Sequence, residues 1–115
     1  MAVSRAQKVG QVLQQELASI ITFELQNPRI GFMTVTEVRV TDDLRTARIY
    51  ISVLGDDSQR DESLISLKAS VSYLRRELGR RVKLRYVPDL IFCLDDTLDR
   101  AERLDRLLRG EDDQS

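Results

Sequence analysis

Residues 75–85 read RRELGRRVKLR, six basic side chains against the single carboxylate of Glu77. Guanidinium and ammonium groups at this density suit the binding of phosphate oxygens, because each brings both donors and positive charge to a polyanion. Arg75 and Arg76 finish a helix, where cations also interact favourably with the carbonyl end. Arg80 and Arg81 are expected in the following loop. Lys83 and Arg85 share a face if residues 82–86 are extended. Lys68, Ser72 and Arg75 or Arg76 extend the patch along the helix face turned away from the core. The competing reading is a set of solvated arginine caps that merely protect an apolar helix face.

Other chemistry finds little to work with. Histidine is absent, which removes the commonest near-neutral general base and metal ligand. Cys93, the single cysteine, sits in the apolar run LIFCL and reads as a buried structural thiol rather than a nucleophile. Neither a GxxxxGK[ST] phosphate loop nor a GxGxxG turn occurs. The carboxylate pairs Asp42/Asp43, Asp56/Asp57 and Asp95/Asp96 each lie beside a turn or helix start and read as turn formers and caps. They form no converging set for a hard cation. The expectation is a binding protein without catalytic residues, metal or cofactor.

The chain has 115 residues, enough for one domain with a modest core. Its net charge of −1 hides an asymmetry. Residues 1–88 carry 14 basic and 10 acidic groups, net +4, whereas residues 89–115 carry 4 and 9, net −5. A polyanion would meet a basic body and be repelled by an acidic end. No apolar run approaches the roughly 20 residues that cross a bilayer, and no signal-peptide pattern is visible at the start. A lone cysteine suits a reducing, cytoplasmic compartment.

The periodicity defines the elements that must carry these groups. From Ser4 to about Gln26 a helix is expected, capped by Ser4 with Gln7, with Val9, Val12, Leu13, Leu17, Ile20 and Ile21 on one stripe. Gly10 inside it costs roughly 1 kcal/mol relative to alanine. Asn27 and Pro28 end it. Phe32 to Thr41 reads as a strand whose alternation slips near Thr36 and Glu37; either a bulge or burial of both faces explains the slip. Asp42, Asp43 and Leu44 form a turn. The next strand turns Ala47, Ile49, Ile51 and Val53 one way, and Arg48, Tyr50 and Ser52 the other.

Ser58 with Asp61 is the capping box expected for a second helix, with Leu64, Leu67, Val71, Leu74 and Leu78 facing the sheet. Gly79 fits the left-handed residue that ends many helices. Residues 80–94 read as extended, with the firmest strand at 90–94 and Pro88 at an edge, bulge or break. Asp96 or Thr97 can cap a short last helix bearing Leu98, Ala101, Leu104, Leu107 and Leu108. The EDDQS end is expected to be loose. Among the aromatics, Phe32 and Phe92 belong to apolar runs, and Tyr50 and Tyr73 are the ones placed for exposure. Base stacking is therefore not the obvious mode, and grip on backbone and shape is the better fit.

Two long stretches, NPRIGFMTVTEVRVTDDLRTARIYISVLG at 27–55 and LRRELGRRVKLRYVPDLIFCLDDTL at 74–98, resemble the bacterial ribosome-binding factor A family, and the element order supports the resemblance over about residues 4–108. The resemblance implies an α+β, KH-like fold of the second type, ordered helix, strand, strand, helix, kink, helix, strand, with a short C-terminal helix. It implies a single domain over 1–109, with a core at about 4–96, a last helix at about 97–109 and a loose acidic tail at 110–115.

The function it implies is that of a non-enzymatic assembly factor. Such a factor binds the free 30S subunit, promotes late maturation of 16S rRNA near its 5′-terminal helix, matters for growth in the cold and works beside assembly GTPases. A cytoplasmic monomer, not bound to a membrane, is implied for the free state. The implied RNA-binding residues are Lys68, Ser70, Ser72, Arg75, Arg76, Arg80, Arg81, Lys83 and Arg85.

The family substitutes an AxG kink for the GxxG loop of KH domains that grip single strands. Here the kink residues are Ala69, Ser70 and Val71, so valine stands where the glycine would be. Val71 is the middle member of the apolar stripe, and a β-branched residue resists unusual backbone angles. The expected bend at Ser70 is mild and right-handed. An adaptor that docks to a protein partner, and a single-strand RNA binder using the KH-like groove, are the alternative functions.

Overall fold

The computed structural model describes residues 3–25 and 27–95. Helix α1 spans Arg5–Phe23 and begins with the expected capping box: Ser4 accepts from the Gln7 amide while the Gln7 side chain accepts from that of Ser4. Leu13, Leu17 and Ile20 are fully buried, but Val12 is 42% exposed and leaves the stripe. The helix stops at Phe23, ahead of the expected end, with Glu24 as its cap. Gly10 is buried for a reason that propensity does not reveal: a Cβ there would lie 2.8 Å from the Val38 carbonyl oxygen. The missing side chain lets α1 approach the sheet backbone.

Strands β1 (Met33–Val40) and β2 (Thr46–Val53) pair antiparallel. Their register shifts between Val35 and Glu37, so Thr36 is the extra residue of a bulge. That decides between the two explanations of the phase slip: the bulge turns Val35 and Val38 to the same buried side. The intervening turn is fixed by Asp43, whose carboxylate accepts from the Thr41 hydroxyl at 2.7 Å and the Arg45 amide at 3.0 Å. Leu44 in this turn has φ of 63°, a left-handed conformation costing a leucine about 1–2 kcal/mol.

Helices α2 (Asp57–Ala69) and α3 (Val71–Arg81) form the crossover to β3 (Asp89–Leu94), which lies parallel to β2. Parallel neighbours require such a long connection. Sheet order is β1-β2-β3. The cap of α2 is Asp56, paired with Gln59, rather than Ser58 with Asp61; the carboxylate two residues earlier reaches the orphan amide first. Gly79 does not terminate α3 either. The helix continues through Arg81 to a cap at Val82, so Gly79 is interior and Arg80 and Arg81 lie in the last helical turn, not in a loop.

One core joins Leu13, Leu17 and Ile20 of α1 with Ala47, Ile49 and Ile51 of β2, Leu67 of α2, Leu74 and Leu78 of α3 and Phe92 of β3. Leu64 and Val71 pack at its margin. The helices therefore cover one sheet face, as their apolar stripes require. The other face carries Arg39, Arg48, Tyr50, Ile91 and Cys93, and Cys93 is only partly buried there. The apolar neighbours of Cys93 in sequence alternate to the far side of the strand. No described helix is long and apolar enough to cross a membrane. The last helix expected at 97–109, with Asp96 or Thr97 as its cap, and the tail at 110–115 lie outside the described residues.

Candidate nucleic-acid interface

The break between α2 and α3 is one residue wide. Ser70 has φ −96° and ψ 4°, and its amide donates to the carbonyls of Leu67 and Lys68. Its hydroxyl donates back to the Ser66 carbonyl at 3.0 Å, while its own carbonyl receives the Leu74 amide at 2.9 Å. Hydrogen bonding thus continues through the kink in right-handed backbone, and Val71 is partly buried against the core. Ala69 is exposed on the side away from it.

Past the kink, Ser72, Arg76 and Arg80 recur four residues apart along α3, all exposed. Residues four apart are surface neighbours on a helix, and two like charges at that spacing repel by a few tenths of a kcal/mol. An anion between Arg76 and Arg80 relieves that repulsion. Lys68, exposed at the end of α2, precedes this column. Arg80 places Nη1 3.3 Å from a Glu77 oxygen yet keeps a side chain that is 74% exposed.

Residues 82–88 form no strand, but burial still alternates: Val82 and Leu84 are partly buried, Lys83 and Arg85 exposed. Lys83, Arg85, Arg76 and Lys68 have no ion-pair or hydrogen-bond partner for their charged groups among the described residues.

Two arginines of the same run turn inward. Arg75 donates from Nη2 to the Val87 carbonyl at 2.7 Å and from Nε to the Pro88 carbonyl at 3.2 Å, with Asp89 3.8 Å away. It clamps the backbone that enters β3, just where Pro88 can neither donate nor continue a ladder. Arg81 meets three carboxylates: Glu16 at 3.5 Å and Glu24, both on or capping α1, and Glu77 at 3.9 Å. Its side chain is only 29% exposed. This cluster ties the end of α3 to α1.

The aromatic side chains are arranged differently from the expectation. Phe32 is 85% exposed, Phe23 75% and Tyr86 52%, whereas Tyr50 and Tyr73 are partly buried. Phe32 stands at the end of the apolar run, just before β1, where no described helix covers it. Arg45 sits over the Tyr86 ring, its guanidinium carbon 5.5 Å from the centroid. Sequence reasoning did not single out Arg45, because nothing local connects it with a tyrosine forty-one residues on. Asp56 caps and Asp43 holds a turn, as expected of the carboxylate pairs, while Asp95 accepts from the Thr36 hydroxyl at 2.7 Å. Among the described residues no group of three acidic, histidine or cysteine side chains is arranged to hold a metal.

The model of the family described as ribosome-binding factor A matches residues 5–108. A ribosome-binding factor A from Desulfitobacterium hafniense is 44% identical over 110 residues, covering 96% of this chain and 88% of the relative. One from Desulforamulus reducens is 46% identical over 104 residues, covering 90% and 87%. The crystal structure of ribosome-binding factor A from Thermus thermophilus superposes with a TM-score of 0.70 at 27% identity, over 77% of this chain and 94% of that one. A homology model of the Thermus thermophilus protein, fitted into a cryo-EM map of its 30S complex, gives 0.65 at 28% identity, over 76% and 91%. Agreement in sequence over nearly the whole length, and in fold over about three quarters of it, places the exposed basic column on a known scaffold: this chain belongs to the ribosome-binding factor A family.

Proposed function

We propose that this chain grips the phosphate backbone of 16S rRNA in the free 30S subunit with the outward column of α3 and the basic segment after it. Family membership makes it a non-enzymatic ribosome assembly factor that binds the 30S subunit and its 16S rRNA. The surface is assigned on one observation: Arg76 and Arg80 repeat on the exposed side of α3, with Lys68, Lys83 and Arg85 exposed on either side and unpaired among the described residues. Ser70 and Ser72 add hydroxyls beside the kink. Arg75 and Arg81 act one step back, holding the helix and the entry to β3 in place.

The finer reading follows the family. The α-β-β-α-α-β order with helices on one sheet face fits a KH-like fold of the second type, forming one domain over about residues 1–109. The protein works in the cytoplasm as a free monomer, late in 16S maturation near the 5′-terminal helix, beside assembly GTPases and with greatest effect in the cold. Without catalytic groups it acts by population shift: an rRNA arrangement that it binds more tightly gains by that difference in affinity.

Co-sedimentation with 30S and 70S particles across a salt series tests this. The variant reverses Arg76, Arg80, Lys83 and Arg85 to glutamate; Arg81 is kept, since a glutamate there would join three carboxylates and disturb the fold. The wild type is expected on free 30S with a steep salt dependence, and the reversal to lose about a hundredfold in affinity. Equal binding by both proteins overturns the assigned surface and favours the adaptor.

A further inference from the structure

A second group of side chains gathers where the β1–β2 turn, the first turn of α1 and the segment before β3 meet. A cleft of about 150 Å³ opens there, walled by Val9, Leu44, Leu84 and the Tyr86 ring, with Arg5, Arg85 and Asp43 also on its lining. That is the scale of cavity that accepts one six-membered aromatic ring. Arg45 packs its guanidinium on Tyr86 at 5.5 Å. Arg5 and Arg85 are exposed, with no partner for their charges among the described residues.

Hydrogen bonds brace the cleft. Asp43 accepts from the Thr41 hydroxyl and the Arg45 amide, and these bonds hold its carboxyl below the ordinary range, so it is an ionised acceptor at neutral pH. The Arg45 carbonyl accepts from the Asp89 amide at 2.8 Å, fastening the turn to the start of β3. Leu44 keeps its left-handed backbone while its side chain walls the cleft, and strain of this kind collects at ligand sites.

An apolar slot beside an aromatic ring, two cations unpaired among the described residues and one ionised acceptor fit a flat ligand with N–H groups on its edge and a phosphate to each side. A duplex keeps its bases inside and offers no such group; an unpaired nucleotide does. We propose that this cleft takes the six-membered ring of one unpaired base of single-stranded RNA, stacked against Tyr86, its N–H edge toward Asp43 and its flanking phosphates on Arg5 and Arg85. This rests on the RNA-binding reading above but differs in kind: the α3 column senses backbone charge, whereas the cleft selects an unstacked base.

The test titrates the full chain with a short oligoadenylate and, separately, with a blunt RNA duplex, following the Tyr86 ring signals by NMR and affinity by fluorescence anisotropy. Oligoadenylate is expected to shift the Tyr86 signals and the duplex to leave them in place. Stacking is worth enough that Tyr86→Leu should weaken oligoadenylate binding about tenfold while Tyr86→Phe stays within about twofold. Circular dichroism checks that the variants remain folded, which the half-exposed position of Tyr86 favours. Equal affinity for wild type and Tyr86→Leu, or equal Tyr86 shifts with duplex, overturns the base slot. Failure of oligoadenylate to bind a wild type that still co-sediments with 30S also overturns the slot, and leaves the backbone reading standing. Failure of the wild type to co-sediment overturns both.

Discussion

Arg76 and Arg81 belong to one basic run, five residues apart on the same helix, yet the fold gives them opposite work. Arg81 is enclosed by Glu16, Glu24 and Glu77 and joins α3 to α1. Arg76 is exposed to solvent, with no partner for its charge among the described residues. A guanidinium among carboxylates has its charge compensated within the protein and little left to offer a phosphate. One without partners retains its full attraction for a polyanion. Charge density along a sequence therefore does not show which charges are compensated within the fold, and the helix face on which each arginine falls decides that.

The largest effect that would sharpen this contrast is on stability. Arg81→Glu puts a fourth carboxylate into a half-buried cluster and is expected to cost about 3 kcal/mol in urea unfolding, with 30S binding by the folded fraction retained. Unchanged stability would break the distinction between the two arginines. Next comes Gly10→Ala, which asks whether α1, the partner of Arg81, is seated as closely as the 2.8 Å approach to Val38 indicates. Helix propensity alone promises a gain of about 1 kcal/mol; the contact with backbone predicts a loss of about 2 kcal/mol instead, read from the shift in thermal midpoint.

On the outward side, Arg76→Gln should leave stability within about 0.5 kcal/mol and reduce the salt dependence of 30S binding by about one charge. A stability loss matching that of Arg81→Glu would show Arg76 to be structural as well. The smallest effect is expected from Gly79→Ala, between the two arginines. Its new Cβ would meet Val87 Cγ2 at 3.3 Å, offsetting most of the propensity gain, so stability should change by no more than about 0.5 kcal/mol.

Most of the element order, the slip in β1 and most of the inward stripes were legible because they arise from local periodicity. The Thr36 bulge appeared in the sequence as a slip in alternation, and the Ser4–Gln7 box as two residues at capping distance. The α2 cap was less legible, since Asp56, Asp57 and Ser58 are all good caps and only the chain path selects one. Gly79 resembled a helix end because its conformational freedom is visible in sequence, while the apolar contacts of Leu78 and Val82 that carry α3 past it are not. Half of the candidate site was readable in the same way: the spacing of Ser72, Arg76 and Arg80 is local. The inward turn of Arg75 and Arg81 depends on Val87, Pro88, Glu16 and Glu24, which only packing brings near.

By itself, then, the sequence determined the order of most helices and strands, which of their faces are apolar and that a basic run spans residues 75–85, because each of these depends on neighbours within a few residues. Tertiary structure alone decided which arginines of that run are enclosed by groups of the protein and which stand exposed without a partner among the described residues. It also brought Arg45 onto Tyr86 beside Arg5, because the antiparallel turn and the parallel crossover fold three distant stretches against one edge of the sheet.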